Sequence, residues 1–393
     1  MARLDRRAQL QAVIEHIQPL DEQAMAAAGQ RQDLLTKPPG SLGRLERLAT
    51  QLAGISGSAL PRLPRKAVIV MAADHGVTRE GVSAYPPEVT AQMVQNFANG
   101  GAAINVLARQ ANARVIVVDV GVATELASSL PIVHRKVAFG TANFAQGPAM
   151  TPDQALAAIA VGLEVVAREA KRGLDVVCLG EMGIGNTTAA SALVAAMTGL
   201  PVARVTGRGT GIDDATWQHK VAVIERALDL NRPDPTEPLE VLAKVGGLEI
   251  AGLIGVALGA ASRRIAVVVD GFIAASAAML AVELCPGVRS YLIAAHRSVE
   301  VGHRVVLESL ELEPLLSLDL RLGEGSGAAV VLPILDAALA LLGEMATFAQ
   351  AGVAGARAAI DTEISTRPTS EPRQAQDRCP RGCDHARQPR SRG

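Results

Sequence analysis

A chain of 393 residues, 49% hydrophobic and 20% charged, has enough apolar surface for one large core and is too apolar to be disordered throughout. Its net charge of -1 offers no electrostatic reason to bind nucleic acid or a membrane surface. With only 2% aromatic residues, Ala, Val, Leu and Ile must fill the interior, which suits helices packed on a Val/Ile-rich sheet.

The N-terminal stretch is charged with no apolar run behind it, so no signal peptide is expected. Arg7–Ile17 and Leu42–Leu52 read as helices, and the first sixty residues hold no strand candidate. Short β-rich runs come next at Ala67–Met71, Arg114–Val118, Asp175–Leu179, Ile265–Val269 and Ser290–Ile293, with a less regular one at Leu315–Leu320. Most are continuously apolar rather than alternating, as strands covered on both faces are. Helical stretches lie between them: Thr151–Arg172, Thr187–Thr198, Asp213–Leu230 and Ile273–Leu284. This rhythm predicts an α/β fold with an open, mostly parallel sheet flanked by helices and right-handed crossovers.

Near the end, Ala328–Phe348 reads as a helix again. The expected organisation is a small helical domain formed from both chain ends, residues 1–60 and 328–350, around a large α/β domain over 61–327. From 351 to 393 the chain turns rich in Arg, Pro, Ser and Gln and reads as a disordered tail. The apolar windows Gly246–Ala261 and Ala328–Leu342 are interrupted by Glu249, and by Pro333 and Asp336, so they read as buried helices rather than membrane spans. Cysteines at 178, 285, 379 and 383 make no disulfide framework. A cytoplasmic protein with no membrane association is expected.

The residues just beyond each strand are more informative. Asp74-His75-Gly76, Asp119-Val-Gly121, the run Gly180 to Thr188, Asp270-Gly271, His296 and Gly323-Glu324-Gly325 come directly after the six runs. In a parallel open sheet these loops share one edge, where α/β proteins bind ligands. Gly180-Glu-Met-Gly-Ile-Gly-Asn-Thr-Thr188 leads from strand to helix. Its glycines let backbone N–H groups approach an anion at a helix N-terminus, so phosphate binding is favoured over a mere tight turn capped by Asn186 or Thr187. It matches neither the dinucleotide nor the Walker pattern. Arg208, in Gly207-Arg-Gly-Thr-Gly-Ile-Asp213, and Lys220 on the next helix could add positive charge. Asp213 and Asp214 read as cap and first-turn acids. Glu324, held between glycines near apolar residues, is a candidate general base. His75, His219, His296 and His303 show no metalloprotease spacing, and Cys379, Cys383 and His385 make three ligands at best, so no metal is expected.

Lys37-Pro-Pro-Gly-Ser-Leu-Gly-Arg-Leu-Glu46, Ala73-Asp-His-Gly-Val77, Gly180–Thr188, Gly207–Asp213, Asp270-Gly-Phe272 and Leu318–Gly327, in this order, resemble the nicotinate-nucleotide–dimethylbenzimidazole phosphoribosyltransferase family. The resemblance runs from Leu34 to Phe348. It implies a homodimer with a Rossmann-like large domain, and transfer of phosphoribose from nicotinate mononucleotide to 5,6-dimethylbenzimidazole in cobalamin assembly, with inversion from β to α. It implies Glu324 as the base and Glu181 as a second carboxylate near the reacting centre. Met182, Gly183, Ile184, Gly185, Asn186 and Thr187, with Arg208 and Lys220, would hold the phosphate and ribose. Ser83, Tyr85, Gln92 and Leu322 would line the aromatic-base pocket. The pyridinium leaving group departs neutral at nitrogen, so neither an acid, a metal nor a cofactor is required. Ala295-His-Arg-Ser-Val-Glu-Val-Gly-His303 resembles a family segment that more often begins Ser-His and carries Ala and Pro in place of Val299 and Val301, which bears on where the local helix starts. Transfer to another base, such as a purine or a phenolic, is the alternative chemistry. A phosphoribosyltransferase using pyrophosphate-activated ribose typically needs two adjacent acids after a strand, and Val118-Asp-Val-Gly121 offers one. A non-catalytic nucleotide sensor would have no use for both Glu181 and Glu324.

Overall fold

The computed structural model describes residues 6–209 and 211–354. Helices α1 (Arg6–Glu15), α2 (Glu22–Leu34) and α3 (Arg44–Ser56) precede β1 (Lys66–Ala73), α4 (Glu88–Ala98), α5 (Ala103–Gln110), β2 (Ala113–Gly121) and β3 (Val133–His134). Next come α6 (Pro152–Lys171), β4 (Val176–Met182), α7 (Asn186–Thr198), α8 (Val202–Val205), α9 (Asp214–Asn231), α10 (Pro238–Val245) and α11 (Leu248–Ala261). The order closes with β5 (Ala266–Val269), α12 (Phe272–Leu284), β6 (Leu292–Ala294), α13 (Val301–Ser309), α14 (Ser326–Glu344) and α15 (Phe348–Ala351). The described residues through Val353 belong to one compact unit.

All strand pairs are parallel, in the order β3-β2-β1-β4-β5-β6. The chain leaves β1 toward β2 on one side and returns to β4 on the other. The crevice between the carboxyl ends of β1 and β4 is therefore the topological switch point, where α/β folds bind ligands. Every residue of β1 is buried, as its unbroken apolar run requires of a strand covered on both faces.

Helix α11 is buried at all its positions and packs on α6 and on the strands. The contact with α6 is backbone to backbone: a Cβ on Gly162 would lie 2.0 Å from the Gly252 carbonyl oxygen, and one on Gly255 equally close to that of Ile159. α6 starts on a capping box in which Thr151 Oγ1 accepts from Gln154 N and Gln154 Oε1 accepts from Thr151 N. α5 and α14 pack on each other and against β2 and β4 respectively.

Helices from the two ends meet. α3 packs on α2 and α14, Leu35 bridges Thr347, and the Arg31 guanidinium donates to the carbonyls of Leu342 and Gly343 at the end of α14. Among the described residues α14 alone has the length and apolarity to cross a bilayer, yet Pro333 lies within it and it packs against α3, α5 and β4.

The predicted helices are present, with ends shifted by no more than four residues, and α13 begins at Val301. Three strand expectations need correction. Asp119 and Glu181 lie inside β2 and β4 rather than in the loops beyond them. β3, only two residues long, carries no periodic signal. Leu315–Leu320 is not a strand: Leu316 makes a single parallel bridge to His296, while Leu318 is exposed and Asp319 has φ of +53°. Ser317, Asp319 and Arg321 interrupt its apolar pattern, so the segment runs irregularly alongside Ala294–Val299. The expected tail lies outside the described residues beyond 354, with Cys379, Cys383 and His385.

Candidate active site

A cavity of about 450 Å³ opens at the carboxyl edge of the sheet. β4 delivers Glu181 and Met182 to it, and the Gly183-Ile184-Gly185 turn then feeds α7. Only glycine suits this turn. A Cβ on Gly183 would lie 2.3 Å from the Ala73 carbonyl oxygen, and Gly185 has φ of +96°. No side chain caps α7, so Asn186 and Thr187 are not its caps. Both face the cavity instead. The Asn186 amide donates to Glu181 Oε2 in a short contact, and Thr187 Oγ1 accepts from Lys220 Nζ at 2.8 Å. The Ile184 N–H donates to Thr90 Oγ1 at 3.1 Å, tying the turn to α4.

Glu324 stands in a left-handed run, with φ of +87°, +64° and +85° for Gly323, Glu324 and Gly325. A non-glycine residue in this region is held there by its surroundings. Asp270, after β5, supplies the hold: its carboxylate accepts from Gly325 N at 3.2 Å and from Ala328 N at 2.9 Å, at the start of α14. Glu324 Oε2 accepts from Ile104 N, in the first turn of α5, at 3.2 Å. Gly180 makes room, since a Cβ there would lie 2.6 Å from the Glu324 carbonyl oxygen. Gly323 does the same for Glu181, whose Oε1 would be 2.3 Å from a Cβ at that position.

These carboxyls are buried near one another. Burial raises the pKa of Glu324 against the opposing Ile104 N–H. Glu181 is pushed up to about 8 by burial first, then by the charges of Asp270, Glu249 and Glu324, while the Asn186 amide pulls the other way. Asp270 rises to about 7 through burial, resisted by backbone N–H donors. Glu181 and Glu324, both raised above the ordinary carboxylate range, line one cavity with Asp270 behind the Glu324 turn, and such carboxyls are what proton-transfer chemistry uses.

Cationic groups line the cavity as well. Lys220 is buried, which draws its pKa down to about 8, and Glu300 works against that shift. Arg208 also lines the cavity but is half exposed, donating to the Ile212 carbonyl at 3.0 Å and pairing with Asp214. Asp213 caps α9 by accepting from Thr216 N at 2.8 Å. The apolar part is formed by Val82, Tyr85, Val89, Met93 and Leu322, with Ser83 between them.

Thus Glu324, Glu181, residues 182–187, Arg208, Lys220, Ser83, Tyr85 and Leu322 all line one cavity. Gln92 does not: it is exposed on α4, and Val89 and Met93, four residues apart on one face, line the cavity instead. Sequence reasoning missed Phe272, Ile273, Ser298, Glu300 and Arg321 as lining residues. Phe272 comes directly after the Asp270-Gly pair already singled out, but Arg321 and Glu300 sit in irregular segments with no periodic signal. His296 lines the cavity too. His303 Nδ1 accepts from Ser298 N at 3.0 Å, and His219 Nε2 lies 2.6 Å from the Glu80 carbonyl oxygen.

A family model described as Phosphoribosyltransferase matches residues 17–353. A Chloroflexus aggregans protein named nicotinate-nucleotide–dimethylbenzimidazole phosphoribosyltransferase is 61% identical over 344 residues, covering 88% of this chain and 98% of its own. A Roseiflexus relative of the same name is 60% identical over 346 residues, covering 88% and 98%. The crystal structure of the Thermus thermophilus enzyme of that name superposes with a TM-score of 0.82 at 49% identity, over 86% of this chain and all of that one. With a family match across most of its length and relatives more than half identical over nearly theirs, the chain belongs to the nicotinate-nucleotide–dimethylbenzimidazole phosphoribosyltransferases.

Proposed function

We propose that the chain transfers the phosphoribosyl group of nicotinate mononucleotide to 5,6-dimethylbenzimidazole, giving α-ribazole 5′-phosphate and nicotinate, with Glu324 as general base. The observation that carries this reading is a buried carboxylate, fixed in a left-handed turn, sharing one cavity with Glu181 and a glycine turn beside a buried lysine.

Each part of the cavity then has its share of the chemistry. The 5′-phosphate sits on residues 183–187 at the start of α7, where the helix dipole favours an anion, with Lys220 supplying the full charge. The benzimidazole lies among Val82, Tyr85, Val89, Met93 and Leu322. One of its ring nitrogens attacks the anomeric carbon from the face opposite the pyridinium, which inverts that carbon. The bond to the pyridinium nitrogen breaks and nicotinate leaves with the electron pair, needing no proton. The new bond makes the benzimidazole cationic, and its other ring nitrogen gives its proton to Glu324. Burial makes Glu324 a stronger base than an exposed carboxylate, because its proton affinity is raised. Glu181 faces the ribose. A pyridinium nucleotide arriving beside it favours its ionised form, which then stabilises positive charge developing at the anomeric carbon. The enzyme acts as a homodimer in the cytoplasm.

Nicotinate release from nicotinate mononucleotide, measured against a panel of benzimidazoles, purines and phenolics, tests this. Release with dimethylbenzimidazole is expected. Release only with a purine or phenolic moves the reading to that base class, and no release with any base from folded protein sinks it.

A further inference from the structure

Behind the glycine turn lies a pair of ionisable groups that the proposed transfer does not use. His75, in the segment after β1, directs Nε2 at Glu249 Oε1 across 2.7 Å, and neither side chain has any solvent exposure. Burial disfavours the charged imidazole, but the carboxylates of Glu249 and Asp74 outweigh it and raise the His75 pKa. Two buried charges cost several kcal/mol each in lost hydration, and an apolar pair of the same volume often serves stability as well. The position of the pair is more telling than its strength. Gly247 makes room for it, and Gly183 and Gly185 of the other segment lie against it. A Cβ on Gly247 would stand 2.5 Å from His75 Cε1 and 2.6 Å from Glu249 Oε2. One on Gly185 would stand 3.2 Å from His75 Cβ, and one on Gly183 3.4 Å from His75 Cδ2. The imidazole is thus wedged between the entry to α11 and the turn that opens α7. Glu249 anchors it from the first turn of a helix locked backbone to backbone on α6.

We propose that His75 and Glu249 form a positioning pair for the Gly183–Gly185 turn, holding its backbone where it receives the 5′-phosphate of the nucleotide. This rests on the assignment of that turn to phosphate. His75 lies against both glycines of the turn, with ring atom Cδ2 toward Gly183 and Cβ toward Gly185, and its hydrogen bond to Glu249 fixes where it stands. Loss of the bond lets the turn relax away from the ligand, while Glu324 keeps its bond from Ile104 N and Asp270 keeps its hold on the Gly323–Gly325 turn.

Glu249→Gln keeps the side-chain volume without the charge, and His75→Phe fills the ring's space without the hydrogen bond. The full chain is assayed with nicotinate mononucleotide and, separately, with nicotinate riboside, which lacks the phosphate. The expected result in both variants is a KM for the mononucleotide raised about tenfold or more, a larger factor than the change in either kcat or the KM for dimethylbenzimidazole. The preference for mononucleotide over riboside shrinks by the same factor. A wild type that uses the riboside as well as the mononucleotide removes the phosphate assignment itself. A wild type that prefers the mononucleotide, with variants that keep this preference or that lose only kcat, overturns the pairing inference alone. If both variants fail to fold, ¹⁵N-histidine NMR of the wild type decides. The His75 ring signals should move on adding mononucleotide and not on adding riboside, and signals indifferent to both overturn the proposal.

Discussion

Replacing Glu324 by Gln separates base chemistry from binding. The amide keeps the shape of the carboxylate, and its carbonyl oxygen can still accept from Ile104 N, so neither a cavity nor an orphaned N–H results. Asp270 continues to hold the Gly323–Gly325 turn through Gly325 N and Ala328 N. What disappears is the acceptor for the benzimidazole proton. Loss of one positioned general base costs about 10²–10⁴ in rate. That is roughly 3–5 kcal/mol on the barrier at about 1.4 kcal/mol per decade. Nicotinate release followed by chromatography, with both substrates saturating, should show this fall in kcat, with the KM for mononucleotide within about threefold. Stability should move the other way. The folded-state pKa of Glu324 is raised, so folding stability is greatest below its ordinary value of 4.5 and is lost as pH rises through the folded value. The neutral amide has no such loss, and the variant should melt no lower than wild type at pH 8. A variant that keeps kcat within tenfold of wild type would refute the assignment and point to Glu181 as the base.

Glu181→Gln should abolish turnover and flatten the stability–pH curve. Glu181 rises from 4.5 to about 8 in the folded protein, so wild-type stability should decline between those pH values, by an amount on the order of several kcal/mol, and denaturant midpoints across pH 5–9 measure it. Lys220→Met should raise the KM for mononucleotide about tenfold to a hundredfold, the worth of a hydrogen bond to a charged group. Since Lys220 loses its proton near pH 8 in the empty site, wild-type kcat/KM should fall above that pH, and the variant should lack that limb. Gly180→Ala should destabilise the fold by about 1–3 kcal/mol in urea titration and lower kcat, because its Cβ meets the Glu324 carbonyl oxygen, a backbone atom that cannot swing away.

The sequence by itself determined the class of the fold and the edge that carries the chemistry. An unbroken apolar run such as Ala67–Met71 suits a strand covered on both sides, and runs of that kind separated by long helices point to a parallel sheet. That sheet sends its strand ends and the loops after them to one edge, which is why Glu181 and the Gly183–Gly185 turn are legible together in the sequence, while Glu324 reaches the same edge from an irregular segment. The tertiary structure alone decided what those residues experience. Glu324 is steadied by Ile104 and by Asp270, far from it in sequence, and His75 by Glu249, 174 residues away. Gln92 points away from the cavity while Val89 and Met93 face it, because the orientation of α4 is set by its packing on the sheet and not by composition. Leu315–Leu320 looks apolar enough for a strand yet takes an irregular path beside Ala294–Val299. Periodicity records only how a segment is buried along its own length. Proton affinity depends on desolvation and on charges brought in from elsewhere, so the raised values at Glu181, Asp270 and Glu324 exist only once the chain has folded.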